Sequence, residues 1–391
     1  MSEAPPRFVS GFVSILGRPN AGKSTLLNAL VGTKLAIVAD KPQTTRTTIQ
    51  GVLTLPEGQI IFIDTPGIHR PDSPFNKRMM ETVRAALAER DLLLFLVDAT
   101  LPLTEAGRQA VDLIRKAGAP ALLVLNKIDL LGDKSRLLPL IEAYRGIHEF
   151  AEYLPLSALN GDGLDELRAA ILARLPEGPQ YFPEDHLTDQ PERFLAAELI
   201  REKIIRETRQ EVPHCVAVIV DRWEETARVT RVLASVIVEK EGHKGIVIGP
   251  KGAMLKKVGT LAREEMELVF GRRFFLELYV KVQPKWRENP AFLNALNWRT
   301  MAGTDETQNH SGDHTDPFPG GAVARRPEER RRALRPDPPP ADQRPRGEGR
   351  APSGRSQAGR GDSARHRGAR QAEGTGREGG QEGEGGQGRG E

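Results

Sequence analysis

The most restrictive feature of the chain is Gly17-Arg18-Pro19-Asn20-Ala21-Gly22-Lys23-Ser24, which fits G-x-x-x-x-G-K-[ST] and follows an apolar run, Phe8–Leu16. Glycines there let backbone N–H groups turn inward around an anion with no Cβ in the way. A helix starting at Lys23 adds unpaired N–H groups and the positive end of its dipole. Such a loop needs a strand before it and a helix after it. Lys23 is placed to reach the β and γ phosphates of a nucleotide, the Ser24 hydroxyl to ligate Mg²⁺, and Thr25 to line the same phosphates.

The residues that follow repeat the strand–helix rhythm. Strands are expected at Gln59–Asp64, Asp91–Asp98, Ala119–Asn126 and Glu149–Leu156. Helices are expected over Lys23–Val31, Ser73–Glu89, Glu105–Ala117, Lys134–Tyr144 and Asp165–Leu175. Residues 1–177 therefore read as an α/β domain, a mostly parallel sheet with helices on both faces and its ligands at the carboxyl ends of the strands. Pro176, Gly178, Pro179 and Pro183 mark residues 178–191 as a linker. Residues 192–300 change rhythm: a charged helix over Glu192–Gln210, alternating runs at Cys215–Arg222 and Arg228–Glu239, a short helix and glycine-rich turn, a helix over Ala253–Phe270, and a strand at Arg273–Val282. That order predicts a compact α+β domain.

Composition narrows the search. Lys plus Arg number 56 against 53 Asp plus Glu, so a net charge of +3 does not by itself identify a polyanion partner. A single cysteine, Cys215, excludes an internal disulfide framework and a multi-cysteine zinc site and suits a reducing cytosol. Cys215 is expected as a buried thiol inside a strand. No apolar run reaches the ~18 residues of a membrane span, and Met1–Arg7 does not read as a signal peptide, so a secreted or membrane-spanning chain is not expected. Residues 301–391 hold 19 Gly, 9 Pro and 16 Arg against 15 acidic residues, with no Lys, Trp or Tyr. They bury too little apolar area to offset chain entropy, so a disordered tail is expected, either an RNA-binding arm or an extension without function.

Downstream motifs point to guanine. Asp64-Thr65-Pro66-Gly67 ends a strand, so the Asp64 carboxylate can hold the Mg²⁺ shell and the Gly67 N–H can meet a γ-phosphate. Asn126-Lys127-Ile128-Asp129 ends another. Asp129 can accept from both N1–H and the N2 amine of guanine, donors that adenine lacks, while Asn126 and the Lys127 stem brace the ring. Ser157-Ala158-Leu159 can offer an N–H to guanine O6.

This series resembles a small GTPase of the translation-factor-related class. The resemblance implies a mobile first switch at Gln43, Thr44, Thr45, Arg46 and Thr47, with Thr45 ligating Mg²⁺ and Thr44 as the rival, and a second switch at His69–Asn76. Ile68 stands where Ras-like relatives carry a water-positioning glutamine, so slow intrinsic hydrolysis is expected. Asn20 matches a P-loop asparagine that coordinates K⁺ in some relatives.

In the second domain, Gly249-Pro250-Lys251-Gly252 is a G-x-x-G loop between helices, the clamp that KH domains close on about four single-stranded nucleotides. From Glu239 to Arg287 eleven Lys or Arg face six Glu, and Lys244, Lys256, Lys257, Arg272 and Arg273 join Lys251 as candidate phosphate contacts. The helix-first order is that of a type II KH fold. With the nucleotide motifs, Phe182-Pro183-Glu184-Asp185, Glu192–Lys203, Glu241–Gly252 and Val280–Trp286, the chain resembles the Era GTPases over about residues 7–298. The resemblance implies GTP/GDP and Mg²⁺ as ligands and binding to the 3′ end of 16S ribosomal RNA in small-subunit assembly. It also implies nucleotide-gated RNA binding and peripheral association of a cytoplasmic monomer with the inner membrane. Two other readings are a membrane-associated regulatory GTPase and a tRNA-modifying GTPase, whose C-terminal cysteine motif this chain lacks.

Overall fold

The computed structural model of the chain describes residues 7–41, 44–68, 74–88, 90–209 and 211–296. Gln43 of the first switch, His69 and most of the second switch, and the 301–391 tail lie outside the described residues.

The first half forms strands β1 (Val9–Gly17), β2 (Ile49–Leu55), β3 (Gly58–Asp64), β4 (Leu92–Asp98), β5 (Ala121–Asn126) and β6 (Glu152–Leu156) in one sheet of order β2-β3-β1-β4-β5-β6. All neighbours pair parallel except β2, which runs antiparallel to β3 at the edge. The sheet has two covered faces, so β4 is apolar at every position but its last. Leu92, Leu94 and Leu96 join the core under helices α1 (Lys23–Val31) and α5 (Leu164–Leu172). Leu93, Phe95 and Val97 face α2 (Pro74–Ala86), α3 (Glu105–Ala117) and α4 (Leu137–Arg145). From β1 the chain passes first to β3 on one side and then to β4 on the other, which makes the carboxyl end of β1 the switch point of the sheet.

Three details differ from the sequence expectation. Edge strand β2 is additional; it pairs with β3 across a two-residue turn, a hairpin rather than a βα unit. Residues 178–191, read as a linker, are strapped to the first sheet. Buried Gln59 accepts the N–H groups of Tyr181 (2.9 Å) and Phe182 (3.0 Å) and donates to the Phe182 carbonyl (2.9 Å). Val52 N–H donates to the carbonyl of Leu187, and the Leu187 side chain enters the first core. Cys215 is buried as expected but closes a helical turn, α7 (Val212–Cys215), ahead of its strand, because Pro213 at the start of the turn favours helix there.

The second half contains α6 (Glu192–Glu207), β7 (Ala217–Glu225), β8 (Thr230–Val238), α8 (Glu241–Ile248), α9 (Ala253–Phe270), β9 (Phe274–Val282) and a final short helix, α10 (Pro290–Ala295). Its sheet has the order β7-β8-β9, antiparallel then parallel. Leu199 and Ile204 of α6, Val247 of α8 and Val258, Ala262 and Met266 of α9 cover one face against Val232, Ala234, Val236 and Val238 of β8. Ile37, from the loop after α1, is buried in this second core. Behind the sheet, Ala217 and Ile237 pack with Phe75 and Met79 of α2 and with fully buried Trp286.

Replacing Gln59 with Ala removes the acceptor of the Tyr181 and Phe182 amides, while the Phe182 carbonyl keeps only its bond from Gln180 Nε2 at 2.8 Å. The expected loss is about 2–3 kcal/mol in urea unfolding, with faster protease cleavage inside residues 178–191. Unchanged stability and cleavage would show that the strap is held elsewhere.

Candidate functional site

The parallel register of β1 and β3 sets Ile15 opposite Asp64, so the phosphate-loop sequence and the Asp64 carboxylate leave the sheet at the same end. Thr65 fixes that end by donating its hydroxyl to Ile15 O at 2.8 Å. Gly22 takes φ 96°, and a Cβ there would lie 2.3 Å from Asn126 Nδ2, so glycine is required on both counts. Lys23 folds back over the loop, its Nζ 3.3 Å from Gly17 O and 3.2 Å from Arg18 O. Burial lowers its pKa, and the nearby Asp64 carboxylate partly offsets this.

Ser24, Thr45 and Asp64 converge. Ser24 Oγ donates to Asp64 Oδ2 at 2.6 Å and lies 2.8 Å from Thr45 Oγ1, which is itself 3.5 Å from Asp64 Oδ2. Asp64 is fully buried, which pushes its carboxyl up to about 6 while Lys23 and the two hydroxyls hold it back. Its Oδ1 has no hydrogen-bond partner among the described residues. Two hydroxyls and a carboxylate with a free oxygen make an all-oxygen donor set that fits Mg²⁺. Thr44 turns away: its hydroxyl donates to Lys41 O at 2.6 Å. Thr47 leads into β2, and Thr25 sits in the first turn of α1.

Around this centre, Asn20 (φ 62°) donates Nδ2 to Asp40 O at 3.1 Å. Arg18 reaches sideways to the Thr104 hydroxyl at 3.0 Å. Pro66 and Gly67 bring the chain against the loop: a Cβ on Gly67 would come 2.8 Å from the Pro19 ring. Ile68 donates its N–H to Gly17 O at 3.2 Å and packs its side chain on the core beneath α2 and α3.

At the carboxyl end of β5, Asn126 is buried and bridges the site. Its Nδ2 donates to Ala21 O at 2.8 Å and its Oδ1 accepts from Ala158 N–H at 2.9 Å. It therefore ties the phosphate loop to the Ser157–Leu159 turn instead of bracing a ring. Lys127, at φ 68°, is held by Asp98 at 2.7 Å. Burial pushes the Asp98 carboxyl up, but the hydrogen bonds from Lys127 and Thr100 outweigh it and hold the carboxyl below its usual range. Asp98 is a site residue that sequence reading missed; its signal is its place at the carboxyl end of β4. Asp129 is exposed in the turn after Lys127, and Leu159 is 78% exposed.

In the second domain, Gly249, Pro250, Lys251 and Gly252 form the turn between α8 and α9. Gly249 has φ 71° and a Cβ there would meet Met254 Cβ at 2.6 Å; Gly252 has φ 78° with nothing within 4 Å. Beside the turn lies a groove of about 400 Å³, lined by Gly252, Leu255, Lys256, Gly259, Thr260, Arg263, Leu276 and Leu278. Its apolar floor and cationic rim suit bases and phosphates of a single strand. Leu255, Gly259 and Arg263 recur at helical spacing behind the turn, a signal present in the sequence beyond the G-x-x-G motif itself. Of the basic candidates, Lys251, Lys256 and Arg273 make no ion pair among the described residues, and Lys244 lies 3.9 Å from Glu241. Lys257 and Arg272 are not free. Lys257 pairs with Glu207 at 2.5 Å, and Arg272 lies over Trp223 and Phe274 while bonding Glu192 and Glu225.

Comparison with known proteins agrees with both halves. A sequence profile described as "50S ribosome-binding GTPase" matches residues 12–127, and one for the KH domain matches residues 211–287. The GTPase Era of Geobacter metallireducens is 49% identical over 300 residues, 76% of this chain and 100% of that protein. That of Syntrophus aciditrophicus is 48% identical over 293 residues, 74% of this chain and 95% of its own. Among solved structures, an Aquifex aeolicus Era variant bound to GDP and AlF4⁻ superposes with a TM-score of 0.72 at 43% identity, covering 74% of this chain and 99% of that one. An Era complex with MgGDPNP and nucleotides 1506–1542 of 16S ribosomal RNA matches with a TM-score of 0.73 at 42% identity, over 74% of this chain and 99% of the other. Near-complete coverage of such relatives at this identity establishes that the chain belongs to the Era family of GTPases.

Proposed function

We propose that this GTPase binds Mg²⁺·GTP at the loop between β1 and α1 and, through the groove beside Gly249–Gly252, grips the 3′ end of 16S ribosomal RNA during assembly of the small ribosomal subunit. The observation that carries the reading is a phosphate loop with a Ser24–Thr45–Asp64 oxygen cluster on the same chain as an open G-x-x-G groove. The related Era complex with MgGDPNP and a 16S ribosomal RNA fragment supports the pairing of these two ligands.

In this reading, residues 1–177 form the nucleotide domain and 192–300 the RNA domain. Gly17–Thr25 and Gly67 surround the phosphates, with Lys23 turned from its carbonyl partners onto the β and γ oxygens. Mg²⁺, held by Ser24, Thr45 and Asp64, neutralises charge that builds on the phosphates. Asp129 reads guanine, the Lys127 stem and the Ser157–Leu159 turn hold it in place, and Asn126 fixes that turn against the phosphate loop. Ile68 offers the attacking water no hydrogen-bonding side chain, so hydrolysis is slow unless another group assists. Asn20, with Nδ2 on Asp40 O, keeps Oδ1 for K⁺. The protein works as a cytoplasmic monomer. Among the described residues no helix is long and apolar enough to cross a membrane. Peripheral contact with the inner face of the cell membrane runs through the basic second domain.

Two outcomes test this reading. Labelled RNA carrying the 3′ end of 16S ribosomal RNA should bind the GDPNP-loaded protein more tightly than the GDP-loaded one. Gly252→Asp should weaken that binding at least tenfold while leaving GTP binding intact. Position 252 has room for a side chain, and at φ 78° the added strain is about 1–2 kcal/mol in the turn, so the variant adds a negative charge beside the groove without overpacking the core. Equal binding by the variant would remove the groove from the reading. Second, replacing K⁺ with Na⁺ should slow GTP hydrolysis several-fold, and Asn20→Ala should abolish the difference. Equal rates in both salts would discard the K⁺ site.

A further inference from the structure

The metal-site hydroxyl of Thr45 belongs to the first domain by sequence, yet both of its peptide neighbours are held from the second. On one side, Arg201 of α6 donates Nη2 to the Thr44 carbonyl. Arg201 is 2% exposed, and Glu198 aims it with bonds of 2.7 Å to Nε and 2.5 Å to Nη2. On the other side, the Arg46 guanidinium donates to Val216 O at 2.8 Å and His214 O at 3.3 Å. It also lies 5.4 Å from the ring centroid of Phe75 in α2 and 5.5 Å from that of Trp286. Trp286 is locked in place by its own bond, Nε1–H to Cys215 O at 3.0 Å, and by an edge contact with Phe75. Three successive carbonyls, of His214, Cys215 and Val216, thus face one arginine and one tryptophan. Upstream, Arg206 donates to Val38 O at 2.9 Å and Ile37 is buried in the second core.

A threonine hydroxyl on an otherwise irregular segment contributes to a metal site only if its backbone is held in place, since geometry within ~0.5 Å decides the strength of such contacts. Here no regular element holds Thr45; β2 begins only at Ile49. The holding groups are Arg201 on one flank and Arg46 between Trp286 and Phe75 on the other. We propose that Arg201 and Trp286 are positioning residues for the Thr45 hydroxyl, so that the second domain completes the metal-binding half of the nucleotide site. This rests on the reading above that Ser24, Thr45 and Asp64 hold Mg²⁺. Neither residue touches the nucleotide; each acts through the backbone or through Arg46. It also follows that the same groups link the site to the RNA-binding half, since Arg201 lies on α6, which packs against α9 behind the groove.

The test uses the full chain and a fluorescent GDPNP, titrated with Mg²⁺, beside fluorescent GDP in EDTA. Wild type should bind GDPNP more tightly as Mg²⁺ rises; if it does not, the Mg²⁺ reading itself fails, separately from this proposal. In Arg201→Ala the Mg²⁺ concentration at half-effect should rise about tenfold, and GDPNP affinity at fixed Mg²⁺ should fall by a similar factor. GDP affinity in EDTA, which needs neither switch, should stay within about twofold and shows that the first domain is folded. Arg201→Lys keeps a donor for the Thr44 carbonyl and should recover most of the loss. Trp286→Phe keeps a ring beneath Arg46 and should lie between wild type and Arg201→Ala. Glu198→Gln, which loosens the aim of Arg201 without opening the core, should shift the Mg²⁺ curve in the same direction. Mg²⁺ curves for Arg201→Ala and Glu198→Gln that coincide with wild type, with GDP binding intact, would overturn the proposal.

Discussion

The convergence of Ser24 and Thr45 on the buried Asp64 carboxylate is the interaction on which the rest of the structure depends. A carboxylate removed from water resists ionisation, and burial accordingly pushes Asp64 up to about 6 despite Lys23 nearby. Two hydroxyls, the Thr65 N–H and the nearby Lys23 charge are too little to offset its burial, and Oδ1 is left without a partner among the described residues. A divalent cation bound here, as proposed, would relieve that cost and would join the loop, the strand end and the Thr45 segment. The sheet order exists, in this sense, to deliver Asp64: only parallel pairing of β1 with β3 sets it beside the loop. The same order sets Asn126 at the end of β5, where it ties the loop to the turn after β6.

Legibility in the sequence followed range. The phosphate loop, the Asp64 and Asn126–Asp129 motifs and the G-x-x-G turn are each a few residues long and sit between long elements of clear periodicity. Helices over Lys23–Val31, Glu105–Ala117 and Ala253–Phe270 end where the pattern placed them. Edge strand β2 was hidden because its pairing depends on a turn into β3, and residues 178–191 looked like a linker because their partners, Gln50, Val52 and Gln59, lie over a hundred residues earlier. Which lysines and arginines remain free around the groove was also invisible. Lys257 and Arg272 have the same chemistry as Lys256 and Arg273, and only the fold brings Glu207 and Glu192 to the former pair. Arg46 and Arg201 belong to the same class: their significance lies in carbonyls contributed from far along the chain.

The second domain is therefore more than cargo carried by a nucleotide switch. Binding free energies are reciprocal. If γ-phosphate and Mg²⁺ favour the arrangement in which Thr44 and Arg46 are held by the second domain, then RNA that favours the same arrangement tightens Mg²⁺·GTP by the same factor. A network of two arginines, one tryptophan and one phenylalanine, with α6 running from Thr44 to α9, supplies such a link.

The energetics of this link set its reach. Burial and the positive Arg201 guanidinium nearby bring Arg46 down to about 9, and its Nε has no partner among the described residues. Arg46 stays charged at neutral pH, but its socket recovers only part of the hydration it gives up. The contacts that hold it, two carbonyls and two ring faces, are each worth about 0.5–3 kcal/mol. Their sum is set against that desolvation cost, so the difference between held and released states is small. Coupling between sites is typically about 1–3 kcal/mol, about 5- to 150-fold in affinity, and a link of this kind suffices for that. A clamp built from fully satisfied buried groups would instead fix one arrangement more firmly.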